Sequence, residues 1–163
     1  MDALDYVEAQ AQRLTAFRLE TMELLNKRAH TLATLQLGGG GALAAFGVAL
    51  LDKPRLHWAA VGVLVAAALW FVLAAWTTHN CLVSKELYPP GNEPQTLLQY
   101  THDLPALRRS ELLSVQDRQV LWRKRNEALG LALDKAYMAT ALTPLPACAA
   151  ALAVFWLARG ALV

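Results

Sequence analysis

Side chains that could carry out acid–base, nucleophilic or metal chemistry are few in this sequence and lie far apart. The four histidines are scattered, and Cys81 and Cys148 are too distant to form a recognisable metal motif or disulfide framework. The triplet His79-Asn80-Cys81 could contribute metal ligands, but three residues alone are a weak signal. The sequence has neither a glycine-rich phosphate loop followed by Lys-Ser/Thr nor a His-Glu-x-x-His helix. We therefore expect no enzyme, no cofactor and no metal site.

A cluster of basic residues is the strongest electrostatic feature, and its charges could attract anions. Its members are Arg108, Arg109, Arg118, Arg123, Lys124 and Arg125. Arginine holds phosphate groups through paired hydrogen bonds, so the cluster is a candidate site for an anionic ligand. It could instead be a solvated face or contact anionic lipid. A third interpretation is ion pairing with Glu8, Glu20 and Glu23 near the N-terminus.

Three sequence windows that are almost free of charged residues indicate where the chain is anchored in a membrane. The chain is 56% hydrophobic and 17% charged, whereas soluble domains carry about 25% charged residues. Residues 29–51 and 56–84 contain no lysine, arginine, aspartate or glutamate, and histidine is their only basic residue. Residues 136–158 contain no charged residue. Each window supplies the roughly 20 apolar residues that a membrane-spanning helix needs. The sequence predicts an all-α integral membrane protein with three transmembrane helices.

The predicted organisation has four segments. Residues 1–33 form a cytosolic amphipathic helix and residues 34–78 a transmembrane hairpin of two helices. Residues 79–135 form a cytosolic connector with one or two charged helices. Residues 136–163 form the third transmembrane helix and a short outer tail.

Apolar spacing predicts which helix faces pack. On the first helix the stripe contains residues three and four apart: Leu4, Val7, Ala11, Leu14, Phe17, Thr21, Leu24 and Thr31. On the charged helix the corresponding stripe is Leu112, Val115, Gln119, Trp122, Asn126, Leu129 and Leu133.

Lysine and arginine counts predict the orientation in the membrane. The segments before the first apolar window and between the second and third contain twelve of these residues, whereas the turn at 52–56 and the C-terminal tail contain three. By the positive-inside rule, the N-terminus is cytosolic and the C-terminus lies outside. For a bacterial protein this places the chain in the inner membrane.

Small and weakly polar residues inside the apolar windows are the candidates for packing or for lining a pore. Gly38, Gly39, Gly40 and Gly41 allow close helix approach, and they favour a symmetric homo-oligomer. Pro144 and Pro146 should kink the third apolar segment, because proline removes a helical hydrogen bond. The remaining candidates are Gln36, Thr77, Thr78, Thr140 and Thr143.

Several segments give the chain a resemblance to a known group of proteins. They are Asn26-Lys27-Arg28-Ala29 before the first membrane helix, Tyr88-Pro89-Pro90-Gly91 in the connector, and Asp134-Lys135-Ala136 before the third. This arrangement resembles the small membrane effectors of bacterial antiphage nucleotide-signalling systems, of the Pycsar and SLATT types. The family usually has an acidic residue before Lys-Ala, where this chain has Asn26.

The resemblance implies an oligomeric effector that forms an ion channel or pore. Such an effector responds in the cytosol to a nucleotide or oligonucleotide ligand, and a nucleotidyltransferase or cyclase would be encoded nearby. Two alternatives remain open on the sequence: a holin-like pore-former, and a non-conducting membrane scaffold subunit.

Overall fold

The computed structural model describes residues 3–53, 56–83 and 104–160, and every regular element in them is helical. The elements are α1 (Ala3–Leu51), α2 (His57–Thr77), a π-helical turn (Thr78–Leu82), α3 (Leu104–Leu142) and α4 (Pro144–Gly160). Within these ranges, three stretches are long and apolar enough to cross a membrane: Leu4–Leu51, His57–Leu82 and Leu104–Gly160. The predicted all-helical class with three such helices is confirmed.

Helix α1 runs without a break from the polar N-terminal segment into the first apolar window, as predicted. The predicted hairpin ends at residue 78, and in the structure a π-helical turn continues the second helix over residues 78–82. There the Val83 amide donates to the Thr78 carbonyl at 3.0 Å, five residues back. The proline-rich part of the predicted connector, residues 89–94, lies outside the described residues.

The predicted kink in the third apolar segment is a break between α3 and α4 at Thr143. Pro144 has no amide hydrogen and cannot donate to the Thr140 carbonyl. The Thr143 amide donates to that carbonyl instead, at 3.3 Å. The Thr143 hydroxyl then donates to the Ala139 carbonyl at 3.2 Å. Threonine thus satisfies backbone groups that the proline leaves unpaired, as it does in other membrane helices.

The chain divides into two compact units. The first, which we call the helix-pair unit, comprises Met1–Leu25 and Ser84–Gly130, and the second, the three-helix unit, comprises Asn26–Val83 and Leu131–Val163.

In the helix-pair unit, α1 and α3 lie parallel, as three contacts in the same order along both helices show. Arg108 bonds to Glu8, Gln119 to Thr15, and the Asn126 side chain to the carbonyl of residue 18. The stripe predicted for α3 is the face that these contacts use, and Trp122, Asn126 and Leu129 within it are buried. That prediction is confirmed.

The stripe predicted for α1 is wrong for most of its large residues. Val7, Leu14, Phe17 and Leu24 are between 41 and 58% exposed, whereas the Ala11 and Thr15 side of the helix receives Gln119. Ala11 belongs to the predicted stripe, but α3 contacts it together with the polar Thr15 rather than with the larger members of the stripe. A row of large apolar residues is therefore left uncovered on the helix-pair unit.

In the three-helix unit, α2 is antiparallel to α1 and to α4. A side chain added at Gly47 would overlap Leu64, and one added at Gly62 would overlap Ala147 and Ala151. The buried residues of α2 include Ala60, Ala67 and Ala74, seven residues apart. Small residues let membrane helices approach closely, and dispersion contacts then hold them together. Large apolar side chains such as Val72, Leu152 and Trp156 face outward and are at least half exposed, as expected where lipid replaces water.

Candidate functional site

A polar cluster at Gln36 connects α1, α2 and α3 in the three-helix unit. The Gln36 Nε2 donates to Thr140 Oγ1 at 2.8 Å, and Thr77 Oγ1 donates to Gln36 Oε1 at 3.1 Å. Thr140 in turn donates its hydroxyl hydrogen to the Ala136 carbonyl at 2.8 Å. Gln36 and Thr77 have no exposed surface. The cluster therefore joins α1, α2 and α3 at one level.

The bonds at Gln36 show what this cluster can do. Burying an amide in an apolar environment without hydrogen-bond partners costs several kcal/mol. The hydrogen bonds to Thr77 and Thr140 offset this cost for Gln36. Three of the predicted pore or packing residues, Gln36, Thr77 and Thr140, are thus brought together. Because they bond to one another within one chain, the arrangement supports packing of that chain.

The four consecutive glycines have different environments. A Cβ added at Gly39 would overlap the Trp70 indole, and one at Gly40 would lie 3.4–3.5 Å from Trp70 and Phe71. At Gly38 and Gly41 the same atom would meet nothing within 4 Å. Gly39 and Gly40 therefore allow α2 to pack closely against α1. Gly38 and Gly41 lie on an open surface of the helix.

The remaining predicted packing residues are separate from the Gln36 cluster. Thr78 is exposed at the first position of the π-helical turn, where its carbonyl accepts the Val83 amide. Thr143 is 4% exposed and bonds within its own helix. Pro144 and Pro146 are exposed in the first turn of α4, where proline needs no amide hydrogen bond.

In the helix-pair unit, Arg108 forms the strongest ionic contact. Its Nε is 2.6 Å from Glu8 Oε1, and its terminal nitrogen is 2.7 Å from Glu8 Oε2 and 2.8 Å from Asp5 Oδ1. The hydrogen bonds from Arg108, and then its charge, lower the pKa of Glu8 below the ordinary value of 4.5. Hydrogen bonds to Glu8 and Asp5 raise the pKa of Arg108 still further. Two carboxylates thus occupy the guanidinium, which argues against Arg108 as an anion-binding residue.

The other basic residues do not form one surface. Arg123, Lys124 and Arg125 are consecutive, and successive helical residues point about 100° apart. Arg123 lies 3.8 Å from Glu127 within the same helix, a weak exposed pair. Arg109 and Lys124 are exposed, whereas Arg118 and Arg125 are half-buried. The basic residues of α3 therefore point in several directions around the helix.

A buried polar layer in the helix-pair unit was not singled out as a site from the sequence. Trp122 and Asn126 are 4 and 6% exposed. Within the described residues, Trp122 Nε1, Asn126 Oδ1 and Arg18 Nε have no hydrogen-bond partner, although Asn126 Nδ2 donates to the Arg18 carbonyl at 3.1 Å. Buried polar groups are usually paired, so this layer has hydrogen-bonding capacity that the two helices leave unused. The signal in the sequence was the presence of Trp122 and Asn126, together with Gln119, in a mainly apolar stripe.

The possible metal triplet separates in the structure. His79 is exposed and Cys81 is buried in the π-helical turn. The Asn80 side chain donates to the Trp76 carbonyl at 2.9 Å. Across residues 3–53, 56–83 and 104–160, no three histidine, cysteine or acidic side chains come together in a possible metal site.

Comparison of the chain with protein-family models, with curated proteins and with solved structures gave no match.

Proposed function

We propose that the protein is a non-catalytic membrane effector that assembles into a symmetric homo-oligomer and conducts ions, under control of a nucleotide-type ligand in the cytosol. The observation that carries the proposal is the open surface of α1 at Gly38 and Gly41. A second copy of the chain can approach the backbone there without displacing any side chain. Close approach of this kind drives helix association in membranes.

The polar residues of the subunit indicate where a conducting path would have to lie. Gln36, Thr77 and Thr140 satisfy one another within the subunit. A path would therefore run between subunits, beside the helix contact at Gly38 and Gly41. A pore lined by small exposed groups such as Ala42 would depend on dewetting for closure.

The helix-pair unit supports control from the cytosol. Its exposed row of Val7, Leu14, Phe17 and Leu24 offers apolar surface for association outside the membrane. Arg109 and Lys124 are exposed and form no ion pair with the residues that the structure describes. These charges could attract an anionic ligand and also favour anions at a pore mouth. The role in antiphage defence rests on the family resemblance.

The test combines conductance with a matched pair of substitutions. Purified protein in planar bilayers should conduct, and cyclic nucleotides or short oligonucleotides should change the conductance. Gly41→Leu should abolish the oligomer and the conductance, because leucine fills the open surface without a clash inside the subunit. Ala68→Leu, on an exposed position of α2, should leave both unchanged.

Other outcomes would favour the alternatives. Conductance without any ligand response, together with an endolysin gene nearby, would favour a holin-like pore-former. If no ligand produces conductance, and expressing cells keep their membrane potential, the scaffold alternative replaces the channel.

A further inference from the structure

An apolar cleft opens on the three-helix unit beside the Gln36 cluster, with which it shares Thr140, and its lining does not include Gly38 or Gly41. Its volume is about 540 Å³, within the roughly 300–1,000 Å³ typical of ligand pockets. Its walls are mostly small residues, with an indole at Trp58 and another at Trp70. The small wall residues include Gly39, Ala59, Gly62, Ala66, Ala147 and Ala151.

The cleft has almost no unused polarity. Thr140 and Thr143 are its two hydroxyl residues, and both donate to carbonyls of their own helix, Ala136 and Ala139. An occupant that needed many hydrogen bonds would find few partners. A hydrocarbon chain would lose none, and its burial among apolar walls is favourable.

The length of the cleft corresponds to one leaflet of a bilayer. Its lining on α2 extends from Trp58 to Trp70, which is about 18 Å at 1.5 Å per residue. The hydrocarbon part of a bilayer is about 30 Å thick, so one leaflet contributes about 15 Å. The cleft is open on one side, so an acyl chain could enter from the surrounding lipid.

One end of the cleft carries a cation. The ring centroids of Trp58 and Phe155 are 5.8 Å apart, edge to face, and Arg159 Cζ lies 4.7 Å from the Phe155 centroid. Arg159 forms no ion pair with any residue in the described part of the chain, and it is exposed. Tryptophan prefers the headgroup level of a membrane, and the arginine fork fits phosphate oxygens. This end therefore has the chemistry that a lipid headgroup requires.

We propose that the cleft binds one acyl chain of a glycerophospholipid, taken from the leaflet at the Trp58 end, and that Arg159 contacts the phosphate of the same lipid. Arg159 stacks on Phe155, which contacts Trp58 at one end of the cleft, so the cation adjoins the end of the apolar cleft as a headgroup adjoins its tail. A neutral detergent molecule or an apolar helix of a second copy would leave Arg159 without an anionic partner.

Native mass spectrometry of the protein after mild detergent extraction tests the proposal. Wild-type protein should retain one phospholipid per chain. Ala66→Leu fills the cleft and should reduce retention at least about tenfold, because it displaces several methylene groups of the tail. Ala68→Leu adds the same side chain at an exposed position of the same helix that does not line the cleft, and should retain lipid as wild type does. Arg159→Gln should weaken retention several-fold and abolish any preference for anionic headgroups.

The thiol of Cys148 provides a second measurement on the unmodified chain. Cys148 lines the cleft and is exposed, whereas Cys81 is buried. Added phosphatidylglycerol should slow alkylation of Cys148 by N-ethylmaleimide in delipidated protein. Equal lipid loss from Ala66→Leu and Ala68→Leu would overturn the proposal, and so would the absence of both retention and protection. Protection in a lipid-free oligomer that disappears in the monomer would assign the cleft to a second copy and overturn it as well.

Discussion

Replacing Gln36 with leucine should destabilise the three-helix unit by about 1.2 kcal/mol. Gln36 makes one interhelical hydrogen bond to Thr140 and one to Thr77, and such bonds contribute about 0.6 kcal/mol each on average in membranes. Leucine has a similar size, so little cavity is created. The cost stays modest because Thr77 can redirect its hydroxyl to a carbonyl of its own helix, as Thr140 already does.

A double-mutant cycle measures the bonds themselves. Gln36→Leu combined with Thr140→Val should show a coupling energy of about 0.6 kcal/mol and no more than about 1.7 kcal/mol. Gln36→Leu combined with Thr77→Val should show a similar coupling. Reversible unfolding in bicelles, followed by steric trapping, provides the free energies.

The control for this cycle is Thr143→Val. Thr143 is buried, and its hydroxyl donates to a backbone carbonyl four residues back, as that of Thr140 does, but no hydrogen bond joins Thr143 to Gln36. Its coupling to Gln36 should lie within about 0.3 kcal/mol of zero. The reasoning is refuted if Thr77 and Thr140 couple to Gln36 no more strongly than Thr143 does.

Three further predictions concern packing, pH and orientation. Gly39→Leu should prevent folding of the subunit because it overlaps an indole of α2, whereas Gly38→Leu should fold and lose only self-association, as sedimentation in detergent would show. The lowered pKa of Glu8 means that its pairing with Arg108 stabilises the helix-pair unit above pH 4.5, and that this stability is lost as the pH falls through the lowered value. Hydrogen exchange of the first α1 turns should therefore accelerate in acid, and Glu8→Gln should abolish most of that pH dependence. Gly91→Cys should resist impermeant maleimides in intact cells, and labelling there would reverse the predicted orientation.

Much of the fold depends on patterns that are local in sequence. Apolar windows of about 20 residues are sufficient to predict three membrane-length helices, because the length of a spanning helix follows from bilayer thickness. The break at Thr143 follows from the missing amide of Pro144. The packing face of α3 follows from apolar spacing, because the Leu112 to Leu133 stripe has no competing stripe of similar strength.

Tertiary structure alone decided which residues meet. Gln36 bonds to partners 41 and 104 residues away, and no local spacing encodes those pairings. Gly39 packs whereas Gly38 does not, because the two differ by about 100° around the helix and only the docking of α2 selects the direction. For the same reason α1 turns Ala11 and Thr15 toward Gln119 and leaves Phe17 exposed, although apolar spacing alone places Ala11 and Phe17 in one stripe. The identity of each contact depends on the rotation of a helix against its neighbours, and that rotation is a property of the packed helices together.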